Sequence, residues 1–579
     1  MMLDGGASDT SSVTLDHDPD PRYFEREKSQ TVALSSSLQP LDIIDLTDND
    51  DGFDEGDYIA DEDFEALLEG WMASAQAANP PSLPEGPERT QLDEICDSTG
   101  IVYKPGQSVE LHDDTFLQIC SIWDKDGEIS FQGRRLWRLK DRHGTYLPSW
   151  KNELIWVVYE TRDIPLGLIK RFVLVHFTNY SHTQDPHRID RPRELFCRLK
   201  ETIQRNNTSV ETSIEYLTYA EADVEFRVRA SILRSLWRGE TAAFGSEEKF
   251  KSPIVVLDPI EDQSIVNEHK VQRKYTFGDA FCGAGGVSCG AEAAGLHIKW
   301  AFDLSPHAGA TYRLNFPTVL FDESDIFHFL VNDEEFLRID ITHGSPPCQT
   351  WSPAHTSAGP NDDANSACIF ACGDLIRKAK PRVHTMEETS GLIERHQEVF
   401  FGVVHDFLEI GYSVRWAVLK CREYGVPQTR KRLVIIASGP GETLPSLPQP
   451  THGPPGSGLS EEATIYQAIS NIPLGTSEHD VEASLARAKG LRPPYDANQQ
   501  ARTITCGGGE NNYHPSGMRN FTNREYACLQ TFPLSFQFGP REVRTQIGNA
   551  VPPLLAKAVY GEIIKSLQES DERELREDP

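Results

Sequence analysis

The run Tyr275-Thr276-Phe277-Gly278-Asp279-Ala280-Phe281-Cys282-Gly283-Ala284-Gly285-Gly286 constrains the fold more than any other stretch of this 579-residue chain. A strand pattern passes into a glycine turn and then a helix pattern, and strand and helix patterns keep alternating to the C-terminus. That alternation predicts a doubly wound α/β sheet. Glycine lets backbone approach a ligand closely, so the turn reads as a nucleotide-type pocket. Asp303, twenty residues beyond Gly283, ends the predicted strand Ile298-Lys299-Trp300-Ala301-Phe302 and can accept from ribose hydroxyls. Asp325 ends a further strand candidate, placed to accept from an adenine amino group. A dinucleotide dehydrogenase would also use such a turn, but its third phosphate-side glycine is displaced here and nothing downstream supplies hydride chemistry.

A second feature lies where Leu337-Arg338-Ile339-Asp340-Ile341-Thr342 reads as a short strand running out into Gly344-Ser345-Pro346-Pro347-Cys348-Gln349. Two prolines narrow the loop's backbone choices, so the Cys348 thiol is held in place before a substrate arrives, as a nucleophile requires. A lone cysteine is more often a small buried hydrophobe. What decides between the two readings is the company it keeps.

The length allows roughly three or four domains, and 38% hydrophobic residues suffice for real cores. No stretch nears the roughly 18 apolar residues of a spanning helix, and the N-terminus lacks a signal pattern, so no membrane partner and a place inside the cell are expected. Eleven cysteines without paired CxxC clusters argue for reduced thiols, with no disulfide framework and no metal site. The net charge of −32 is unevenly spread: residues 1–100 hold 25 acidic and 4 basic side chains, leaving 63 acidic and 52 basic for the rest. A basic groove for nucleic acid is compatible with that remainder.

Residues 1–95 are too polar and acidic to offset chain entropy and are expected to be a disordered tail. Within them Ile43-Ile44-Asp45-Leu46-Thr47, followed by Asp48, Asp50 and Asp51, resembles a SUMO-interacting motif, which implies strand addition to SUMO through Ile43, Ile44 and Leu46. Phe64-Glu65-Ala66-Leu67-Leu68-Glu69-Gly70-Trp71 reads as a brief amphipathic helix. Residues 96–250 are β-rich: Ser108-Val109-Glu110-Leu111, Phe116 to Trp123 and Trp156-Val157-Val158-Tyr159 fit strands, with an Asp126-Gly127 hairpin turn. Their order, from Lys104-Pro105-Gly106 through Asn152-Glu153-Leu154 to Pro165-Leu166-Gly167, resembles a bromo-adjacent homology (BAH) domain, which implies chromatin proteins as partners.

The ordered elements from residue 275 onward resemble the motifs of the DNA (cytosine-5)-methyltransferase family. They run from Asp279–Gly286 through Pro347-Cys348-Gln349, Met386-Glu387-Glu388-Thr389 and Gln428-Thr429-Arg430-Lys431-Arg432 to Arg524–Pro533 and Gln546–Pro553. The resemblance implies a Rossmann-like sheet that binds S-adenosylmethionine (AdoMet) over residues 274–440, a small target-recognition region over 441–534, and a C-terminal segment, 535–579, returning to the catalytic domain. It implies double-stranded DNA as substrate, with AdoMet held by Asp279, Phe281, Gly283, Gly285, Gly286, Asp303, Asp325, Asn549 and Val551. Cytosine C5 is a poor nucleophile, so the Cys348 thiolate must first add to C6 of a flipped base. Glu387, its pKa raised by burial, would neutralise charge at N3, and Arg430 and Arg432 would stabilise the anionic intermediate.

Two departures stand out. Glu387-Glu388-Thr389 replaces the family's Glu-Asn-Val, so an acid occupies the place of an amide that helps hold the Pro-Cys loop, and its charge would raise the Cys348 pKa. Beyond the helix-like Ile465-Tyr466-Gln467-Ala468-Ile469, only about 30 residues remain for reading bases, which implies low intrinsic sequence specificity. Both, with the β-rich module, resemble fungal methyltransferases of the RIP-defective type and imply a nuclear role in silencing repeated DNA. A tRNA cytosine-5 methyltransferase and a catalytically weak chromatin scaffold of the same fold are the alternatives.

Overall fold

The computed structural model describes residues 89–142, 152–181, 194–205, 209–239, 274–332, 334–351, 362–488, 490–507 and 512–577. The SUMO-like segment and the predicted helix at 64–71 lie outside these residues.

The strand Thr276–Ala280 leads into the glycine turn and the helix Gly286–Ala294, as the sequence requires. It is the centre of a parallel array in the order 320–322, 297–302, 276–280, 341–344, 383–388. Two antiparallel strands complete it: Lys431–Ser438 pairs with Val383–Glu388, and Ser413–Lys420 with Lys431–Ser438. Every residue of Val383–Glu388 is buried, as befits a central strand covered on both faces. The doubly wound expectation holds with one local revision: Leu337 closes the short helix Glu334–Leu337, and the strand before the Pro-Cys loop is Ile341–Gly344. Asp340 ahead of it accepts from both the N–H and the hydroxyl of Thr276, at 2.9 and 2.8 Å, which fixes the entry of both strands.

The C-terminal helix Pro553–Glu577 returns to the first helix. A Cβ at Gly290 would lie 2.5 Å from Ala556 Cβ and from the Pro553 carbonyl, so that glycine sets how closely the two helices approach. Leu444, Ile465, Ala501, Ile504, Phe521 and Tyr526 belong to the same buried cluster as Val287 and Ile563, so the 441–534 region shares the core of the half that carries the glycine turn. The helix Ile465–Ile469 forms with a complete capping box, Thr464 accepting from Gln467 N and Gln467 accepting from Thr464 N.

The N-terminal β-rich region starts earlier than composition suggests. Thr90–Leu92 is a strand antiparallel to Phe116–Lys125, so the expected tail at 1–95 is too long at its C-terminal end. Main-chain pairing adds a three-residue strand that composition cannot reveal. The hairpin of Phe116–Lys125 and Glu128–Arg138 turns on Asp126 and Gly127, both with positive φ (54° and 87°). Strand Val210–Tyr216 then joins the α/β sheet: it runs antiparallel to Ser413–Lys420 with Thr212 opposite Trp416. Arg415 pairs with Glu211 at 3.1 Å and Glu215 at 3.3 Å across this seam, and Tyr216 Oη donates to the Leu408 carbonyl at 2.6 Å. The two regions share one continuous sheet. Among the described residues no helix is long and apolar enough to cross a membrane.

Candidate active site

The turn after Thr276–Ala280 is strained and roomy at once. Phe281 adopts φ 57°, a left-handed backbone that a bulky residue rarely takes, and its ring packs on Phe302 at 5.3 Å. Gly283 (φ 52°) has open space where a Cβ would stand. Gly286 does not: its Cβ would meet the Val551 carbonyl oxygen at 2.4 Å, which is how the C-terminal segment closes on the turn. Asp303 is half-buried and accepts from Gly283 N through Oδ2 and from Ser305 N through Oδ1, each at 2.8 Å.

Asp279 is fully buried, with Oδ2 accepting from Ser288 Oγ at 2.6 Å and Oδ1 left without a partner. Burial pushes its carboxyl up to about 7 against the pull of the Ser288 hydrogen bonds. Asp325 lies beyond the strand Leu320–Asp322 and does not end it: it caps the helix Ile326–Phe329, accepting from His328 N and facing His328 Nδ1, both at 2.8 Å. Burial raises that carboxyl, but the His328 contacts more than offset this and hold it below the usual range. Asn549 is exposed and accepts from Cys506 Sγ at 2.8 Å.

Beyond the adjacent strand Ile341–Gly344, Cys348 precedes a short 3-10 turn, Gln349–Trp351, whose Trp351 N–H donates to the Cys348 carbonyl at 3.1 Å. Thr389 Oγ1 donates to the Trp351 carbonyl at 3.3 Å, so this threonine ties down the Pro-Cys loop. Glu387 is buried and paired with Arg432, Nε to Oε1 at 2.6 Å. Burial pushes the Cys348 thiol up to about 12; Glu388 adds to the rise, Arg432 opposes it, Glu387 adds again and Arg430 opposes. The three other residues expected to do the chemistry, Glu387, Arg430 and Arg432, therefore act on the Cys348 sulfur, which rests as a thiol at neutral pH.

Arg430 also braces backbone: fully buried, it donates to the carbonyls of Ile504, Gly548 and Ala550 at 3.0, 3.2 and 3.3 Å, while its charge opposes the rise at Cys348. Gln428 works beside it, donating to the Leu529 carbonyl at 2.8 Å and accepting from Ile504 N at 3.1 Å. Gln530 extends the network, its carbonyl accepting from Gln428 Nε2 at 2.6 Å and its own Nε2 donating to the Ala550 carbonyl at 2.5 Å. The sequence reading missed these two glutamines and Thr389. The signal was present, since all three lie inside the matched motifs.

Residues 275–474 and 461–565 match the family model described as C-5 cytosine-specific DNA methylase. The chain belongs to that family. It is a DNA cytosine methyltransferase, and S-adenosylmethionine is the methyl donor the family uses. The Type II methyltransferase M.NgoFVII of Neisseria gonorrhoeae is 34% identical over 313 residues, spanning 47% of this chain and 82% of the relative. M1.HphI of Haemophilus parahaemolyticus is 29% identical over 328 residues, spanning 50% and 87%.

The residues present fit the donor. Space opens above Gly283, carboxylates stand beside the C-terminal ends of two neighbouring strands, and a buried carboxyl oxygen of Asp279 lacks a partner under the turn. In this family member, then, the turn and the Pro-Cys loop both leave the same ends of adjacent parallel strands, 276–280 and 341–344. Ligands in open α/β sheets gather at that edge.

Proposed function

We propose that this chain methylates C5 of cytosine in double-stranded DNA through a covalent bond from Cys348 to C6 of a flipped base. The observation that carries the reading is the Glu387–Arg432 pair at 2.6 Å, whose charges both act on the half-buried Cys348 beside the glycine turn. When bound, S-adenosylmethionine supplies an electrophilic methyl group on a sulfonium. Gly283, Gly285, Gly286, Phe281 and Val551 would shape its seat, and Asp303 and Asp325 would accept from its hydroxyls and amino group.

Flipping the base costs roughly a few kcal/mol, recovered by the closed pocket. Cys348 loses its proton and adds to C6; the electron pair displaced from the C5–C6 bond spreads toward N3, and C5 becomes enamine-like. Glu387 and Arg432 meet the charge at the ring edge, while Arg430, Gln428 and Gln530 hold the backbone around them. Once C5 carries the methyl that the bound donor would supply, loss of the C5 proton to solvent re-forms the C5–C6 double bond as the C6–S bond breaks and Cys348 leaves as a thiolate.

The finer reading is a fungal methyltransferase of the RIP-defective type, acting in the nucleus on repeated DNA. It is supported by Glu387-Glu388-Thr389, by the short stretch beyond Ile469, and by the β-rich module, which we assign as BAH-like and as the contact for chromatin proteins. SUMO binding through Ile43, Ile44 and Leu46 belongs to the same reading.

Radiolabelled methyl transfer to unmethylated duplex, hemimethylated duplex and tRNA, by wild type and Cys348→Ser, tests the proposal. Incorporation into duplex by wild type alone is expected. Label in tRNA only would reject the DNA substrate, and no label anywhere despite S-adenosylmethionine binding would favour a scaffold.

A further inference from the structure

Outside the residues assigned to the reaction, basic and aromatic side chains gather on the 441–534 region and the helix that follows it. Residues 487–519 carry five basic and two acidic side chains, a net of +3 in a chain of −32, and a local positive patch on an acidic protein points to an anionic partner. Two guanidiniums lie on tyrosine rings: Arg492 over Tyr513 at 5.0 Å, and Arg544, on the helix Val543–Asn549, over Tyr526 at 5.4 Å. The rings are fixed in turn. Tyr513 Oη donates to the Pro493 carbonyl at 2.9 Å, Tyr495 packs edge-on against Tyr513 at 5.2 Å, and Tyr526 Oη donates to the Asn512 carbonyl at 2.9 Å. Arg492 N donates to the Gly517 carbonyl at 2.8 Å, and a Cβ at Gly517 would run into the Arg492 carbonyl oxygen, so the backbone under Arg492 is fixed as well. Because Asn512 adjoins Tyr513 and holds Tyr526, both arginine-bearing rings are tied to one point of backbone. Their charges meet at one hydroxyl: burial pushes Tyr526 up to about 12, with Arg544 and then Arg492 opposing. Glu525, the carboxylate that also acts there, is taken by Arg519 at 2.6 and 2.7 Å, and Arg544 Nε is buried without a hydrogen-bond partner.

We propose that Arg492 and Arg544 together seat one backbone phosphate of the DNA duplex and so fix its register on the protein. This rests on the reading of duplex DNA as the substrate. Two guanidiniums held this close favour an anion between them. A guanidinium offers paired N–H donors to phosphate oxygens, and stacking on a tyrosine ring sets its plane before DNA arrives. The cluster borders the base side of the site. Asn512 Nδ2 donates to the Arg502 and Thr503 carbonyls at 3.3 and 3.0 Å, and Arg430 holds the carbonyls of Ile504 and, on the Arg544 helix, Gly548. A phosphate contact positions a duplex and carries no base information, which suits a recognition region this short.

The test reads duplex binding by fluorescence anisotropy over a salt series, and methyl transfer into the same duplexes, for wild type, Arg492→Gln, Arg544→Gln and the double variant, on duplexes of differing flanking sequence. Melting temperature and S-adenosylmethionine binding confirm that each variant is folded. Each single variant should weaken every duplex alike, by about tenfold, the loss of one charge-assisted contact. The slope of log affinity against log salt should fall by about 1 in the double variant, the mark of one phosphate, while kcat at saturating duplex stays within about twofold. A fall of about 2 would put the arginines on separate phosphates and reject the shared seat. Unchanged binding and slope in folded variants would overturn the proposal, as would a loss confined to duplexes with one base at one position, which marks a base reader. Should the variants not fold, the wild type decides through arginine modification by phenylglyoxal, read by mass spectrometry: protection of Arg492 and Arg544 by duplex supports the seat, and equal modification with and without duplex rejects it. Binding requires no turnover, so a protein that holds duplex in this way and transfers no methyl would sink the assigned reaction alone.

Discussion

On the methyl-donor side of the pocket, shape is held by backbone: Gly283 and Ser305 donate main-chain N–H groups to Asp303, and the Gly286 backbone meets the Val551 carbonyl. On the base side, at the next two strands of the sheet, it is held by side chains: a thiol, the Glu387–Arg432 pair, and a second acid with no countercharge of its own. Main-chain contacts are many and individually modest, whereas a buried charge pair fails as a unit when one partner goes. The donor side should therefore lose function in steps and the base side all at once.

The largest effect expected is for Cys348→Ser, since a hydroxyl in place of the thiol leaves no competent nucleophile: methyl transfer should fall at least about 10⁴-fold. Calorimetry should find S-adenosylmethionine binding unchanged, because the donor seat is built elsewhere. Next comes Glu387→Gln, which removes the partner of Arg432 and the carboxyl at the ring edge; kcat should drop about 10² to 10³-fold with little change in donor affinity. A loss of donor binding matching the loss of kcat in either variant would erase the distinction between the two sides.

Asp279 sharpens the contrast through stability. Its carboxyl, ordinarily near 3.8, is pushed up to about 7 by burial. Between those values the folded state binds the proton more tightly than the unfolded chain, so stability is full below pH 4 and is lost as pH rises through 7. Asp279→Asn cannot ionise and still accepts from Ser288. Relative to wild type it should gain about 3 to 4 kcal/mol between pH 4 and 8, read from denaturant unfolding at each pH. A difference that does not change with pH would mean that Asp279 does not titrate in the folded protein.

What the sequence made legible was local. The strand, glycine turn and helix at 275–294, the Asp126-Gly127 hairpin and the helix at Ile465–Ile469 each obey rules spanning about twenty residues or fewer. The convergence of Cys348, Glu387 and Arg432 was readable only through family motifs, because nothing in their spacing brings residues 348 and 432 together. Three things stayed hidden for the same physical reason. The pairing of Val210–Tyr216 with Ser413–Lys420 joins strands some 200 residues apart, and a sheet edge leaves no mark in composition. The carbonyl cage around Arg430 needs the backbone at 504, 548 and 550 in place. The state of Glu388 depends on burial from every side: as a charge it was expected to slow Cys348, and burial, with Glu387 beside it, pushes its carboxyl well above the usual range.

The smallest effect separates the two sides most directly. In Asp303 the two carboxylate oxygens each take one backbone N–H, from Gly283 and from Ser305. Asn at this position can accept with its carbonyl oxygen only, and its amide would face the other N–H donor, so one hydrogen bond is lost and the turn loosens on one side while Val551 still packs on Gly286. One charge-assisted hydrogen bond corresponds to about a tenfold change in binding. Asp303→Asn should weaken S-adenosylmethionine about tenfold by calorimetry, yet leave kcat at saturating donor within about twofold, because the Cys348 loop and the Glu387–Arg432 pair do not touch it. If kcat falls a hundredfold instead, the donor seat and the base pocket are one cooperative unit, and the step-by-step behaviour assigned to the backbone-built side is wrong.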